Sequence, residues 1–183
     1  MLPPDQVTNN SNDENGCLSG ASAQNPGDVW VVYGALDSLK RATGVSACLT
    51  DEVFGYTGRG KTKTGPFALY TGSDTNRNGG YSPPGYVADK GLARCHILSR
   101  VNGGSGTNPE NLFGCSQNAI NAGLMKRYEN TVNKCLTSPL KLKVYFTAWL
   151  AYSNNDPLSA TLYMYAKNSA GDLIEDDFAV VVP

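Results

Sequence analysis

From residue 140 to 152 the chain reads LKLKVYFTAWLAY. Leu140, Leu142, Val144 and Phe146 fall on one face of an extended chain, and Lys141, Lys143, Tyr145 and Thr147 on the other. That period of two predicts a half-buried strand. The segments ATLYMYAK and LIEDDFAVVV, joined by NSAGD, predict a closing hairpin after it. Between Ser116 and Leu136 the rhythm changes. Ile120, Leu124, Tyr128, Val132 and Leu136 recur every fourth residue, the drifting apolar stripe of a helix, which Gly123 weakens without breaking. Upstream, VWVVYGAL (29–36) predicts a strand. DSLKRATGVSACLT (37–50) predicts a helical turn from Asp37, a break at Gly44 and a short extended piece. LARCHILSR alternates weakly and predicts another short strand. The pattern as a whole predicts an α+β domain, an antiparallel sheet with one long helix set against it.

Between these elements lie residues that favour turns. Positions 55–85 are dense in Gly, Thr, Asn, Lys and Pro and predict a long loop with one strand at PFALYT, while VNGGSGTNPE (101–110) predicts a second loop. Residues 1–28, rich in Asn, Asp, Ser, Gly and Pro without periodicity, predict a linker or loosely held arm ahead of a domain spanning 29–183. At 183 residues one domain is expected. No apolar run reaches the length of a membrane span, and MLPPDQVTNNSNDENG has neither the basic start nor the apolar core of a secretory signal.

The formal charge of −1 argues against a partner held by bulk electrostatics, because nucleic-acid binders usually carry a basic footprint. Local clustering can overcome this. Arg59, Lys61, Lys63 and Arg77 crowd the middle of the chain, and Asp172, Glu175, Asp176 and Asp177 its end, so a polarised surface is expected. Five cysteines leave at least one thiol unpaired or bridging chains; none forms C-x-x-C, which argues against structural zinc, and the spacing leaves the pairing open.

Candidate chemistry gathers around GLARCHILSR (91–100), which holds the only histidine, His96. His96 lies on a strand, Asn111 follows a glycine-rich loop, and Asn121 and Glu129 lie on the helix. At about 100° per residue, positions 121 and 129 are two turns apart and offset by roughly 80°, so both can face the strand's end. A side chain next to His96 cannot share its site readily, since neighbours on a strand point to opposite faces. That disfavours an enzyme built on a Cys95–His96 pair.

In order and spacing, Arg94-x-His96, Asn111-Leu112, Asn121-Ala122-Gly123 and Glu129 resemble the core of the DNA/RNA non-specific endonucleases, a ββα-metal family. The likeness is specific across 94–129 and extends loosely over 30–182, with GGSG (103–106) and MKRYENTV similar to the branch of secreted nucleases and polymorphic toxins. The family's Asp and Gly ahead of the histidine are Ala93 and Cys95 here.

The resemblance implies a metal-dependent hydrolysis of phosphodiester bonds in DNA, and RNA as a further substrate. His96 would be the general base, a role worth about 10²–10⁴-fold. Asn121 would coordinate Mg²⁺, with Mn²⁺ as a substitute, and Glu129 would act on the ion through its water. Arg94 would grip phosphate, and Asn111 would orient His96 or the loop. Arg59, Lys61 and Lys63 would form a track for the substrate backbone, the plainer reading being a solvated loop. The branch implies either a secreted nutrient or virulence nuclease, or the effector domain of an antibacterial toxin delivered into a target cell and restrained in its producer by an immunity protein, the latter being favoured. The rival expectation is a catalytically silent domain of the same fold that binds nucleic acid or protein.

Overall fold

The computed structural model describes residues 14–18, 30–50, 81–88, 90–140 and 142–175. The turn predicted at Asp37 exists because its carboxylate accepts from the backbone N–H groups of Leu39 and Arg41 and pairs with the Arg41 side chain at 2.7 Å. That turn reverses β1 (Trp30–Tyr33) into β2 (Gly44–Leu49). β2 then pairs with β5 (Val144–Tyr152), which pairs with β6 (Ala160–Asn168), and β6 with β7 (Leu173–Glu175). All pairs are antiparallel, in the order β1-β2-β5-β6-β7. A second sheet has, among the described residues, only β3 (Leu92–His96) and β4 (Leu112–Ser116).

One face of the large sheet makes the main core. Val45, Ala47 and Leu49 of β2, Phe146 and Ala148 of β5, and Leu162 and Met164 of β6 pack with the helix and the small sheet. The helix stripe is buried as its spacing predicts at Ile120, Tyr128, Val132 and Leu136, and Tyr128 meets Phe146 edge-on at 5.8 Å between ring centroids. Its first half is not α-helical, however. Gln117–Met125 winds as a π-helix and only Lys126–Leu136 (α2) as an α-helix. The i→i+5 bonding of the wider coil brings Met125, five residues from Ile120, onto the same buried face.

The strand expected at 140–152 starts later, at Val144. Leu140, assigned to the core face, is 75% exposed, and Lys143, assigned to solvent, is 1% exposed. The physical reason is position. Both residues precede β5. Lys143 is held beside Ser169, whose N–H donates to the Lys143 carbonyl at 2.9 Å and whose Oγ accepts from the Lys143 N–H at 3.1 Å. β5 itself, the central strand, is covered on both faces, so alternation of exposure is lost over most of its length.

The second cover comes from within residues 1–28, whose composition predicted a linker or loosely held arm. Glu14–Leu18 (α1) lies against β5; Cys17 is bonded to Cys48, with Cα atoms 5.5 Å apart, and packs with Tyr145 beside Trp30 and Tyr165. Glu14 accepts from the Tyr165 hydroxyl and the Lys167 ammonium, each at 2.7 Å. Residues 55–80 of the predicted long loop, including PFALYT, lie outside the described residues, as do Arg59, Lys61, Lys63, Arg77, Asp176 and Asp177. No helix among the described residues is long and apolar enough to cross a membrane.

Candidate active site

The period of two along β3 sorts its side chains. Ala93 and Cys95 turn into the core, and Arg94 and His96 turn the other way, opposite Gly114 and Leu112 of β4. The chain leaving His96 returns tightly to β4. Gly103 ends a 3₁₀ turn (Arg100–Asn102) at φ 95°, and Gly104 lies so close to the Leu98 carbonyl that any Cβ there would collide with it. After β4 the π-helix begins at once. Ser116 caps it by accepting from the Ala119 N–H at 3.3 Å, and the Gln117 N–H bonds the Gly91 carbonyl at 2.9 Å, fastening the helix start to the start of β3.

This arrangement makes a pocket of about 240 Å³ in which Arg94, His96, Gln117 and Asn121 converge, with Tyr86 and Gly106 among its walls. The imidazole of His96 is largely buried, and its Nε2 has no hydrogen-bond partner among the described residues. Burial, the nearby Arg100 charge and, in the opposite sense, a hydrogen bond to the Gly106 backbone together bring its pKa down to about 4. His96 is therefore neutral at physiological pH.

The Arg94 guanidinium lies 5.1 Å from the Tyr86 ring centroid and donates to the Tyr81 carbonyl at 3.2 Å, which aims it along the pocket wall. Asn121 donates from Nδ2 to the Gln117 Oε1 at 3.1 Å, leaving its carbonyl oxygen without a partner among the described residues. Among those residues there is no cluster of three or more His, Cys, Asp or Glu side chains. A metal held here would thus meet carboxamide oxygen and water, the donor set of a hard cation.

Two further expected site residues stand back from the pocket. Asn111 is fully buried. Its Oδ1 accepts from the Leu98 N–H at 2.9 Å, and its Nδ2 donates to the carbonyls of Leu98 at 2.9 Å and Ser105 at 2.7 Å. It clamps the two ends of the loop that carries Arg100 and abuts Gly106. Glu129, in the first turn of α2, is half-buried and 3.6 Å from the Lys126 ammonium. Burial raises its pKa, with Lys126 acting in the other direction. The 80° offset expected between Asn121 and Glu129 assumed one uniform α-helix, and the π segment ends between them.

The family model for DNA/RNA non-specific endonucleases matches residues 21–170. The chain belongs to that family. The endonuclease is similar to solved structures at low identity. For NucA from Streptococcus agalactiae, with a magnesium ion bound, identity is 19% and the TM-score 0.58, over 85% of this chain and 70% of NucA. For the Sda1 nuclease with a bound zinc ion the values are 18% and 0.55, over 84% of this chain and 74% of the other. For an extracellular endonuclease they are 19% and 0.50, over 79% and 66%. No curated protein matches the chain. The unit β3–β4–helix is the ββα-metal core of the endonuclease, and it carries His96 and Asn121 on its two arms.

Sequence reasoning left out three residues that shape this site. Gln117 orients Asn121, and its place four residues earlier on the same helix was a readable cue. Tyr86 supports Arg94 from the loop eight residues earlier, a contact that the alternation of the strand does not reveal. Arg100 acts on His96 by charge alone, four residues along. The cysteine that replaces the family's glycine is accounted for: Cys95 is buried and bonded to Cys115 across the two strands, away from the face His96 uses. Cys135 is the free thiol among the described residues.

Proposed function

We propose that this endonuclease hydrolyses phosphodiester bonds of DNA, and of RNA, with a hydrated Mg²⁺ for which Mn²⁺ can substitute. One observation carries the reading: a neutral imidazole, its buried Nε2 unpartnered among the described residues, lines the same pocket as a guanidinium and a carboxamide oxygen without a partner among those residues. His96 takes the proton of the attacking water, the neutral ring being the form needed. Arg94 grips a phosphate oxygen with its planar fork, held for that purpose by Tyr86 and the Tyr81 carbonyl. Asn121 offers its carbonyl oxygen to the ion, Gln117 keeping the amide from turning over. When bound, the ion supplies charge to the phosphate and to the departing oxygen. Glu129 would hold the ion's water, and Asn111 keeps the His96 loop in place. Arg59, Lys61 and Lys63 would extend the grip along the substrate backbone, a contact without base preference.

Two disulfides support a working place outside a reducing cytosol. With the resemblance to the toxin branch, that leads us to a secreted protein, delivered into target cells as an antibacterial effector and restrained in its producer by an immunity protein. The test is cleavage of supercoiled plasmid and of RNA with Mg²⁺, with Mn²⁺ and with EDTA. Chelation abolishes activity, and His96→Ala lowers it about 10²–10⁴-fold. Equal rates for His96→Ala and the parent would remove the general base from the reading. DNA binding without turnover in Mg²⁺ would select the silent binding domain instead.

A further inference from the structure

We infer that the Cys95–Cys115 disulfide is a positioning element for the reaction, so that the endonuclease is fully active only when this pair is oxidised; the inference rests on the nuclease reading above. The crosslink is diagonal. Cys95 stands opposite Phe113, and Ala93 opposite Cys115, so the bond spans both register pairs of a sheet that has no third strand among the described residues. A two-stranded pair is marginal without outside support, and here it has the weight of the site on both arms. Cys95 is covalently next to His96. Cys115 precedes Ser116, whose side chain caps the helix that carries Gln117 and Asn121. The bond thereby fixes the separation of the proton acceptor from the carboxamide, and it closes a ring that contains the loop bearing Arg100, Gly106 and Asn111.

The other disulfide does none of this. Cys17 and Cys48 lie in a separate cluster with Tyr145, on the opposite side of the large sheet from the main core.

Closure joins the two sulfurs and passes two electrons and two protons to an oxidant of the disulfide class, which leaves as a dithiol. A dithiol reductant reverses it. The sulfur–sulfur bond breaks, each cysteine gains an electron and a proton, and the reductant leaves as a disulfide. Both sulfurs are fully buried, so exchange waits on parting of β3 from β4. The state is then set by the compartment in which the domain folds. Folded under reducing conditions the endonuclease is slack; folded under oxidising ones it is set for catalysis.

The experiment compares the full chain with Cys95→Ala/Cys115→Ala and with Cys17→Ala/Cys48→Ala. Plasmid cleavage is measured in Mg²⁺ as kcat and KM. In metal-free protein the Hε1 proton resonance of His96 is recorded at pH 7, unambiguous because the chain has one histidine. The Cys95/Cys115 variant is expected to keep a cooperative melt, lose about 10–100-fold in kcat with KM within about twofold, and show a displaced His96 resonance. The Cys17/Cys48 variant is expected to keep the parent kcat and resonance. Parent protein refolded in a dithiol should behave as the first variant and recover on reoxidation.

A folded Cys95/Cys115 variant with parental kcat overturns the inference, and so does an equal loss of kcat from the Cys17/Cys48 variant. If the alanine pair does not fold, Cys95→Val/Cys115→Ala, which refills the volume, is read instead. Failure of both to fold makes the bond a folding requirement and not a positioning one, which also overturns it. If the parent cuts nothing with any divalent metal, the nuclease reading falls. The His96 resonance then decides positioning alone, displacement supporting it and coincidence with the parent refuting it.

Discussion

Asn111→Asp is the most informative single change to the frame of the site, because it replaces one amide NH₂ by an oxygen and alters almost no volume. Oδ1 keeps its bond from the Leu98 N–H, but the two Nδ2 donations, to the carbonyls of Leu98 at 2.9 Å and Ser105 at 2.7 Å, are lost. A buried group left unsatisfied costs about 1–3 kcal/mol, and two carbonyls now face a carboxylate, so the expected loss at pH 7 is on the order of 3 kcal/mol. For a domain of this size that is about 6–12 °C in Tm.

The sign of the pH dependence follows from the same contacts. Burial and two carbonyl dipoles raise the folded pKa of the introduced carboxyl group above its unfolded value of about 3.9. The protonated acid can give one bond back. Its stabilisation is therefore full below about pH 4 and is lost as pH rises through the raised pKa. Calorimetric melts of variant and parent, paired at pH 4 and pH 7, measure the difference. A variant melting within about 2 °C of its parent at pH 7, or showing the same deficit at both pH values, would refute the clamp. Since the clamped loop meets His96 at Gly106, cleavage should fall with stability at pH 7 and recover in part on the acid side.

Two further results are expected. The His96 pKa near 4 puts the acid limb of kcat/KM there, activity falling as pH drops through about 4; a midpoint at 6 or above would show an imidazole more solvated than this one. The same depression means that His96 contributes stability above its ordinary pKa of about 6.5 that is lost as pH falls through 4, so melts of parent and His96→Ala should converge over that range. Arg94→Lys keeps the charge but loses the fork and the ring contact with Tyr86; with a charge-assisted hydrogen bond worth about 1.5–3 kcal/mol, kcat/KM should drop about tenfold or more while Tm falls by only about 1–4 °C. Parental kcat/KM would take Arg94 off the phosphate.

Much of this was written in local periodicity. The face shared by Arg94 and His96 needs only the pleat of a five-residue strand, and the helix core needs only residues four apart. What stayed hidden depends on partners far along the chain. Lys143, just ahead of β5, is buried beside Ser169, 26 residues further on, a partner that a window of thirteen residues does not hold. The bond between Cys95 and Cys115 needs the register of β3 against β4, which spacing of five cysteines leaves open. Asn111 looked like one more turn-former after a proline-bearing loop. Its worth lies in backbone groups six and thirteen residues back, brought within reach by a glycine corner. The π winding, too, is a tertiary choice, since the apolar stripe suits either coil at that length.

That winding carries a consequence for how such a site can be retuned. In a uniform α-helix the bearing of one side chain dictates that of every other, about 100° for each step. Here a looser coil is spliced ahead of Lys126, so the direction in which Asn121 points and the grip of Tyr128, Val132 and Leu136 on the sheet are separately adjustable. A single deletion within Gln117–Met125 would swing the carboxamide off its target while the anchor downstream stayed seated.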